Sequence, residues 1–185
     1  WGLYDNCWSE WAKIALLDYM TYMRLGILKA HRINSYWLVC DLDRWNPVIS
    51  WLDRSFSSNV SDYTKLWKIM VDNAKTLWMN LYLKHFPWHG AGKIDTHIWA
   101  LTYYRKNINY LESNMQLFNI ITKYAKSQWL EIWLMVGHMI LPKWPTDGDN
   151  SIYESFQTIA NQADYILTDD LRMKWHTQEK SFSEL

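Results

Sequence analysis

The chain has 185 residues, the size of one domain, and 49% of them are hydrophobic, which is enough for a core without disulfides or metals. Its 19 Lys and Arg residues balance its 19 Asp and Glu residues, so it lacks the basic excess that attracts nucleic acid or anionic lipid. We therefore expect a single globular domain over residues 1–185 that binds no nucleic acid.

Four breaks divide the chain, at 46–47, 57–59, 87–92 and 142–151. Between them apolar residues recur with the period of a helix, and no stretch alternates as an exposed strand would. The pattern predicts seven helices, at 6–30, 32–44, 47–56, 61–85, 93–112, 115–141 and 151–177. The segment 93–112 is apolar on most faces, which favours a central helix surrounded by the others.

The sequence contains no pattern typical of a membrane span or a signal peptide. The richest apolar run, 129–141, is shorter than the roughly 20 residues that cross a bilayer, and it is interrupted by Glu131 and His138. Acidic residues interrupt the N-terminal segment where a signal peptide would be apolar. We expect a cytoplasmic protein in which Cys7 and Cys40 are free thiols, with Cys40 the more buried of the two.

Two short motifs resemble ligand-binding loops, but each is incomplete. The run Gly90-Ala91-Gly92-Lys93 looks like the end of a phosphate-binding loop, which also requires an earlier Gly and a Ser or Thr after the Lys. The segment 147–151 begins like a calcium loop but lacks that loop's later Gly and Glu. We interpret the first as a loop between helices and the second as a helix cap, and we predict no cofactor.

Three histidines, His85, His89 and His97, lie close enough in sequence to suggest a metal site. Pro87 interrupts the helical spacing of the first two, and no Cys or carboxylate completes a usual ligand set. We therefore interpret them as surface or loop histidines and predict no bound metal.

The acidic pairs of the chain do not have the spacing of a catalytic couple on a helix. Asp41 with Asp43, and Asp169 with Asp170, are not four residues apart, so neither pair shares one helix face. We interpret these acids as solvated helix surface. No Gly-x-Ser-x-Gly elbow occurs and neither Cys has an activating neighbour, so we predict no catalytic residue and a protein that is not an enzyme.

Four segments resemble, in order, the poxvirus Bcl-2-like family of immune-evasion proteins. They are the run of acid, Tyr and aromatic residues at 16–24, the segment 38–46, the Leu-Phe, Ile, Ala and late Trp of 117–129, and 156–161 followed by Thr168-Asp169-Asp170. The Asn-Trp-Gly-Arg signature of cellular Bcl-2 proteins is missing, and 90–94 lies near its place.

The resemblance implies an all-α fold, a Bcl-2-like bundle of about seven helices around a central helix. It implies a non-enzymatic, protein-binding module that acts in the host cytoplasm. The implied partners are host signalling proteins, and the implied effect is inhibition of innate immune signalling, towards NF-kappa-B or interferon regulatory factors, or of apoptosis.

The first and sixth predicted helices carry more aromatic residues than one buried stripe can use. In the resembled family, faces that include the first and penultimate helices serve for self-association. We therefore predict an exposed patch formed by Trp11, Tyr22, Trp129 and Trp133 that binds a second copy or a host partner. The alternative is that all four side chains pack inward.

Two other classes of protein remain open. A secreted, cytokine-like helical bundle would have Cys7 and Cys40 bridged and Asn59, in Asn59-Val60-Ser61, glycosylated. A designed helical bundle would have no natural partner, and the 14 tryptophans of this chain are an unusual share.

Overall fold

The computed structural model describes residues 9–44, 49–91, 101–102, 108–137, 139–140 and 151–169. In these residues helices and strands alternate along the chain. The elements are α1 (Glu10–Ala30), β1 (Ser35–Val39), α2 (Val60–Thr76), β2 (Asn80–Phe86), a 3-10 helix (His89–Ala91), β3 (Leu101–Thr102), α3 (Ile108–Ser127), β4 (Ile132–Val136), β5 (Met139–Ile140), α4 (Ser151–Ala160) and β6 (Tyr165–Thr168). None of the described helices is both long and apolar enough to cross a membrane.

Four of the strands form one parallel sheet, in the order β1-β2-β4-β6. A second, two-stranded parallel sheet pairs β3 with β5. Parallel neighbours need a crossover connection, and helices α2, α3 and α4 lie between successive strands of the larger sheet. The fold is therefore α/β, and the prediction of an all-α, Bcl-2-like bundle is wrong.

One face of the larger sheet forms the core with the helices. Leu81 and Leu83 of β2 and Ile132 and Leu134 of β4 are completely buried, and they belong to one apolar cluster with side chains of α2 and α3. Their neighbours along each strand point to the opposite face, because side chains alternate across a strand. That face carries a row of aromatic rings at paired register positions, with centroids 4.4, 5.1 and 3.9 Å apart, formed by Trp37, Tyr82, Trp133 and Tyr165.

Two predicted helices each contain a helix followed by a strand. The segment 61–85 divides into α2 and β2, and the segment 115–141 contains most of α3 and then β4. A strand that is apolar on both faces is a continuous apolar run, and periodicity does not separate it from a buried helix.

The turns between these helices and strands lack the glycine that commonly ends a helix. Arg32, Trp78 and Trp129 each lie two residues beyond the end of a helix and have φ of 62°, 55° and 64°. This left-handed conformation is usually taken by Gly. Since non-glycine residues adopt it here, no glycine marks these helix ends, and the ends of α2 and α3 were missed in the sequence, whereas the end of α1 at Ala30 was predicted.

The remaining predicted helices fare differently. The first is confirmed over Glu10–Ala30, and Ser9 caps it by accepting from the N–H of Ala12 at 3.1 Å. The segment 32–44 contains β1, the described part of 47–56 is turn and loop, and the last segment contains both α4 and β6. The predicted central helix 93–112 is wrong over Leu101–Thr102, which form strand β3, and its described end, 108–112, belongs to α3.

Candidate functional site

Charged and imidazole side chains gather at the carboxyl end of the larger sheet. Asp41 lies two residues beyond β1, and Asp169 directly follows β6. Lys84 and His85 belong to the last three residues of β2, and His89 lies just beyond it. In open α/β sheets ligands bind outside the carboxyl ends of the strands, so we call these five residues, with Arg54, the candidate site.

Asp41 is the fixed centre of this site. Its side chain is completely buried, and its carboxylate accepts three hydrogen bonds, from His85 Nδ1 at 2.7 Å, the His85 N–H at 3.2 Å and the His89 N–H at 2.6 Å. Its backbone carbonyl accepts from the hydroxyls of Tyr63 and Ser55, both at 2.7 Å. Asp41 is therefore immobilised from both its side chain and its backbone.

The charge of Asp41 is stabilised despite its burial. Burial alone raises the pKa of this carboxyl, but the imidazoles and donors of His85 and His89 outweigh it, and the pKa lies below its usual value. Asp41 is therefore a carboxylate at neutral pH. Because a carboxylate only accepts, Nδ1 of His85 carries a proton, and Nε2 is the ring nitrogen left for a ligand.

His89 completes the buried part of the site. It is 2% exposed, and its ring centroid lies 5.1 Å from that of His85. Burial, reinforced by the charge that His85 carries when protonated, lowers the pKa of His89 to about 4. His89 is therefore a neutral imidazole at pH 7.

The outer part of the site combines two cations with a second carboxylate. Burial lowers the pKa of Lys84, and the nearby charge of Arg54 lowers it further, whereas Asp169 and Asp41 act in the opposite direction. Lys84 therefore lies within electrostatic range of Arg54, Asp169 and Asp41. Asp169 is half-buried, and its N–H donates to the carbonyl of Val136 at 3.0 Å, which holds it at the strand end.

Cys40 lies beside Asp41 but is not reactive. It is fully buried, and it is a free thiol. Burial, with the neighbouring charge of Asp41, raises its pKa well above the usual value, so the nucleophilic thiolate is disfavoured. Its predicted companion Cys7 lies outside the described residues.

The interpretation of Asp41 as solvated helix surface is wrong, because it is buried and lies just beyond a strand. His85 and His89 are not surface histidines, since both are buried and hydrogen-bonded to Asp41, although His89 does lie in the loop after β2. Among the residues that the structure describes, no group of three or more His, Cys, Asp or Glu side chains is placed to hold a metal ion. Several residues of the predicted motifs lie outside the described parts of the chain, namely Gly92, Lys93, His97, 147–150 and Asp170.

The four residues predicted to form a binding patch lie in three separate segments of the chain. Trp11 and Tyr22 are 79% and 44% exposed on α1, and Trp129 is 92% exposed beyond α3. Trp133 is half-buried in β4 and stacks on Tyr165. Their use in binding a second copy or another protein stays a prediction.

Comparisons with known proteins identify sugar-cleaving enzymes of the same fold. A β-hexosaminidase of Tolumonas auensis is 39% identical to this chain over 72 residues, which are 38% of this chain and 21% of that enzyme. The β-N-acetylhexosaminidase of Beutenbergia cavernae superimposes with a TM-score of 0.69 at 17% identity, over 89% of this chain and 51% of its own. A glycoside hydrolase family 3 β-N-acetylglucosaminidase of a Paenibacillus species gives 0.66 at 21% identity, over 90% of this chain and 32% of its own. No family model matches the chain.

The solved structures establish the fold. This chain shares the α/β architecture of glycosidases, and it spans 21% of the curated relative and 32% and 51% of the two solved chains. The resemblance to poxvirus Bcl-2-like proteins is therefore wrong. The immune-evasion role and the cytokine-like alternative are overturned with it, since both depended on a helical bundle. The prediction that the chain is not an enzyme is contradicted by the enzymes to which it is similar.

Proposed function

We propose that this chain holds the active site of a glycoside hydrolase that acts on β-linked sugars of the N-acetylhexosamine type. The observation that supports this most is the convergence of the candidate site at the carboxyl ends of β1, β2 and β6, in a fold shared with β-N-acetylhexosaminidases. Because the chain spans only part of those enzymes, the activity of the whole protein belongs to the proposal.

Asp169 is the candidate for the carboxylate that acts on the sugar. Glycoside hydrolysis passes through a transition state with positive charge at the anomeric carbon, which a neighbouring carboxylate stabilises or attacks. Asp41 is not suited to this role, because it is fully buried and its oxygens accept from His85 and His89. Asp169 is half-buried, directly follows a strand, and interacts electrostatically with Lys84.

The remaining groups of the candidate site suit the hydroxyl groups of a sugar. Lys84 and Arg54 are charged donors, and hydrogen bonds from charged donors are stronger than neutral ones. His85 offers Nε2, because Asp41 occupies Nδ1 and sets the orientation of the ring. In this scheme Asp169 stabilises the reacting carbon. Hydroxyl groups of the sugar are bound by Lys84, Arg54 and His85, and Asp41 positions the ring of His85.

The test uses the aryl glycoside p-nitrophenyl N-acetyl-β-D-glucosaminide with the Asp169→Asn variant. We expect the unmodified chain to release nitrophenol and Asp169→Asn to lower kcat by ~10²–10³-fold, the effect of removing one transition-state charge contact. The matched control is Asp164→Asn, since Asp164 lies at the opposite end of the same strand and pairs with Lys126. Its kcat should match that of the unmodified chain.

A binding measurement separates recognition from turnover. N-acetylglucosamine should shift the NMR signals of His85 and of the Asp169 amide, with smaller changes at Asp164. Failure of the unmodified chain both to bind this sugar and to cleave the glycoside would contradict the proposal. Equal kcat in Asp169→Asn and the unmodified chain would remove the role assigned to Asp169.

A further inference from the structure

A buried asparagine of the helix layer reaches two loops of the candidate site at once. Asn114 lies in α3 and is completely buried. Its side-chain oxygen accepts from the N–H of Leu42 at 2.9 Å, and its side-chain N–H donates to the carbonyl of Pro87 at 2.8 Å. Both polar ends of the amide are therefore used, and each holds a different segment.

The two contacted backbone groups lie next to the centre of the site. Leu42 directly follows Asp41, and Pro87 lies between His85 and His89. The loop after β1 and the loop after β2 are also joined by the Asp41 carboxylate, and the Trp88 indole N–H donates to the Leu42 carbonyl at 3.4 Å. Asn114 adds a link from the helix that packs beneath both loops.

We propose that Asn114 is a positioning residue that fixes the loop carrying Asp41 against the loop carrying His89. The effect of Asn114 on catalysis rests on the proposed function, whereas its effect on the position of the two loops does not. A loop outside a sheet has no ladder partners for its N–H and C=O groups, and buried groups of this kind require one. An apolar side chain of similar size would fill the space of Asn114 but satisfy neither group.

The variant Asn114→Leu removes both hydrogen bonds and keeps the number and branching of the side-chain heavy atoms. Its matched control is Asn73→Leu, because Asn73 is also a buried asparagine that ties two segments together. Asn73 donates to Thr21 Oγ1 at 2.7 Å and to Asp18 Oδ1 at 2.9 Å, so it joins α2 to α1 rather than the loops of the site. Both variants lose a buried amide, and a general loss of stability would affect them alike.

The first readout is the titration of His89 followed by NMR, which needs no activity. In the unmodified chain the pKa of His89 is about 4 because of its burial. Release of its loop admits water, so in Asn114→Leu this pKa should rise towards the ordinary 6.5, while in Asn73→Leu it should stay near 4. The other charged groups that act on His89 are retained in both variants, namely His85, Asp41, Asp169 and Arg54.

The second readout is kcat/KM on the aryl glycoside. Misplacement of reacting groups by about 1 Å costs on the order of 10²-fold, so Asn114→Leu should lose roughly that factor and Asn73→Leu should not. If Asn114→Leu does not fold, Asn114→Ser is used, because its small side chain breaks the direct link and leaves room for water.

The outcomes separate the two proposals. A His89 titration that is unchanged in the folded Asn114 variant overturns the positioning role, whatever the activity. A second outcome is that the pKa of His89 is raised in the Asn114 variant while the unmodified chain neither binds nor cleaves the sugar. That result overturns the glycosidase function but keeps Asn114 as the residue that links the two loops. If Asn114→Leu and Asn73→Leu lose the same factor in kcat/KM, the positioning role is also overturned.

Discussion

Replacing Asp41 by Asn should strongly destabilise the protein, although the side chain keeps its shape. The carboxylate accepts from two N–H groups of His85 and one of His89, whereas an amide offers a single accepting oxygen and an NH₂ group that only donates. His85 can change its tautomer, but in either orientation of the amide at least one buried backbone N–H faces another donor. An unsatisfied buried donor costs about 1–3 kcal/mol, and the lost charge-assisted bonds add to it, so we expect a loss of ~2–4 kcal/mol.

The assay is urea unfolding at pH 7, and the control is Asp53→Asn. Asp53 is exposed and has φ of 52°, a conformation that Asn adopts as readily as Asp. The control should therefore keep its free energy of unfolding within about 0.5 kcal/mol. If Asp41→Asn were as stable as Asp53→Asn, the three hydrogen bonds would not be satisfying buried donors, and the assignment of Asp41 as the centre of the site would be refuted.

Two further predictions concern His89 and Trp129. Because the pKa of His89 is about 4 in the folded protein and 6.5 when unfolded, its contribution to stability is complete above pH 6.5 and is lost as the pH falls to 4. That loss amounts to ~3 kcal/mol in the free energy of unfolding between pH 6.5 and pH 4. It should be absent from His89→Gln when urea unfolding is measured across the same pH range. Trp129 is 92% exposed with φ of 64°, so Trp129→Gly should relieve about 1 kcal/mol of backbone strain and raise the Tm. An unchanged or lower Tm in thermal unfolding would contradict that reasoning.

The helices with one buried face were largely predictable from the sequence. In α2, Tyr63, Leu66 and Met70 recur at helical spacing, and all three are buried in the core. Their flanking positions include charged residues, so the apolar stripe is distinct. The local signal was sufficient here because a single face of the element determines its packing.

The strands were not predictable in the same way, because both of their faces are apolar. In β2, Leu81 and Leu83 face the core, while Tyr82 between them belongs to the aromatic row on the other face. Trp133 similarly lies between Ile132 and Leu134 in β4. The alternation of polar and apolar residues that marks a half-exposed strand is therefore absent from these strands.

The candidate site was missed because its residues are distant in sequence and meet only through the sheet. Asp41 and His85 are 44 positions apart, and no local spacing rule connects them. A useful signal was present nonetheless: Asp41, Lys84 and Asp169 each stand at or just after the end of a short apolar run. Interpreted as parallel strands, those runs bring the three residues to one edge, whereas interpreted as helices they scatter them.

The distribution of buried ionisable groups supports a binding site at that edge. Across the middle of the sheet the core face is occupied by leucine and isoleucine, and the polar groups Asp41, His85 and His89 are confined to the strand ends. Burying a carboxylate and an imidazole opposes folding unless each is paired, and an apolar replacement would relieve that cost. At the strand ends these buried groups lie beside Lys84 and Asp169, and Asp41 holds the His85 ring there, next to the crevice in which open α/β sheets bind ligands.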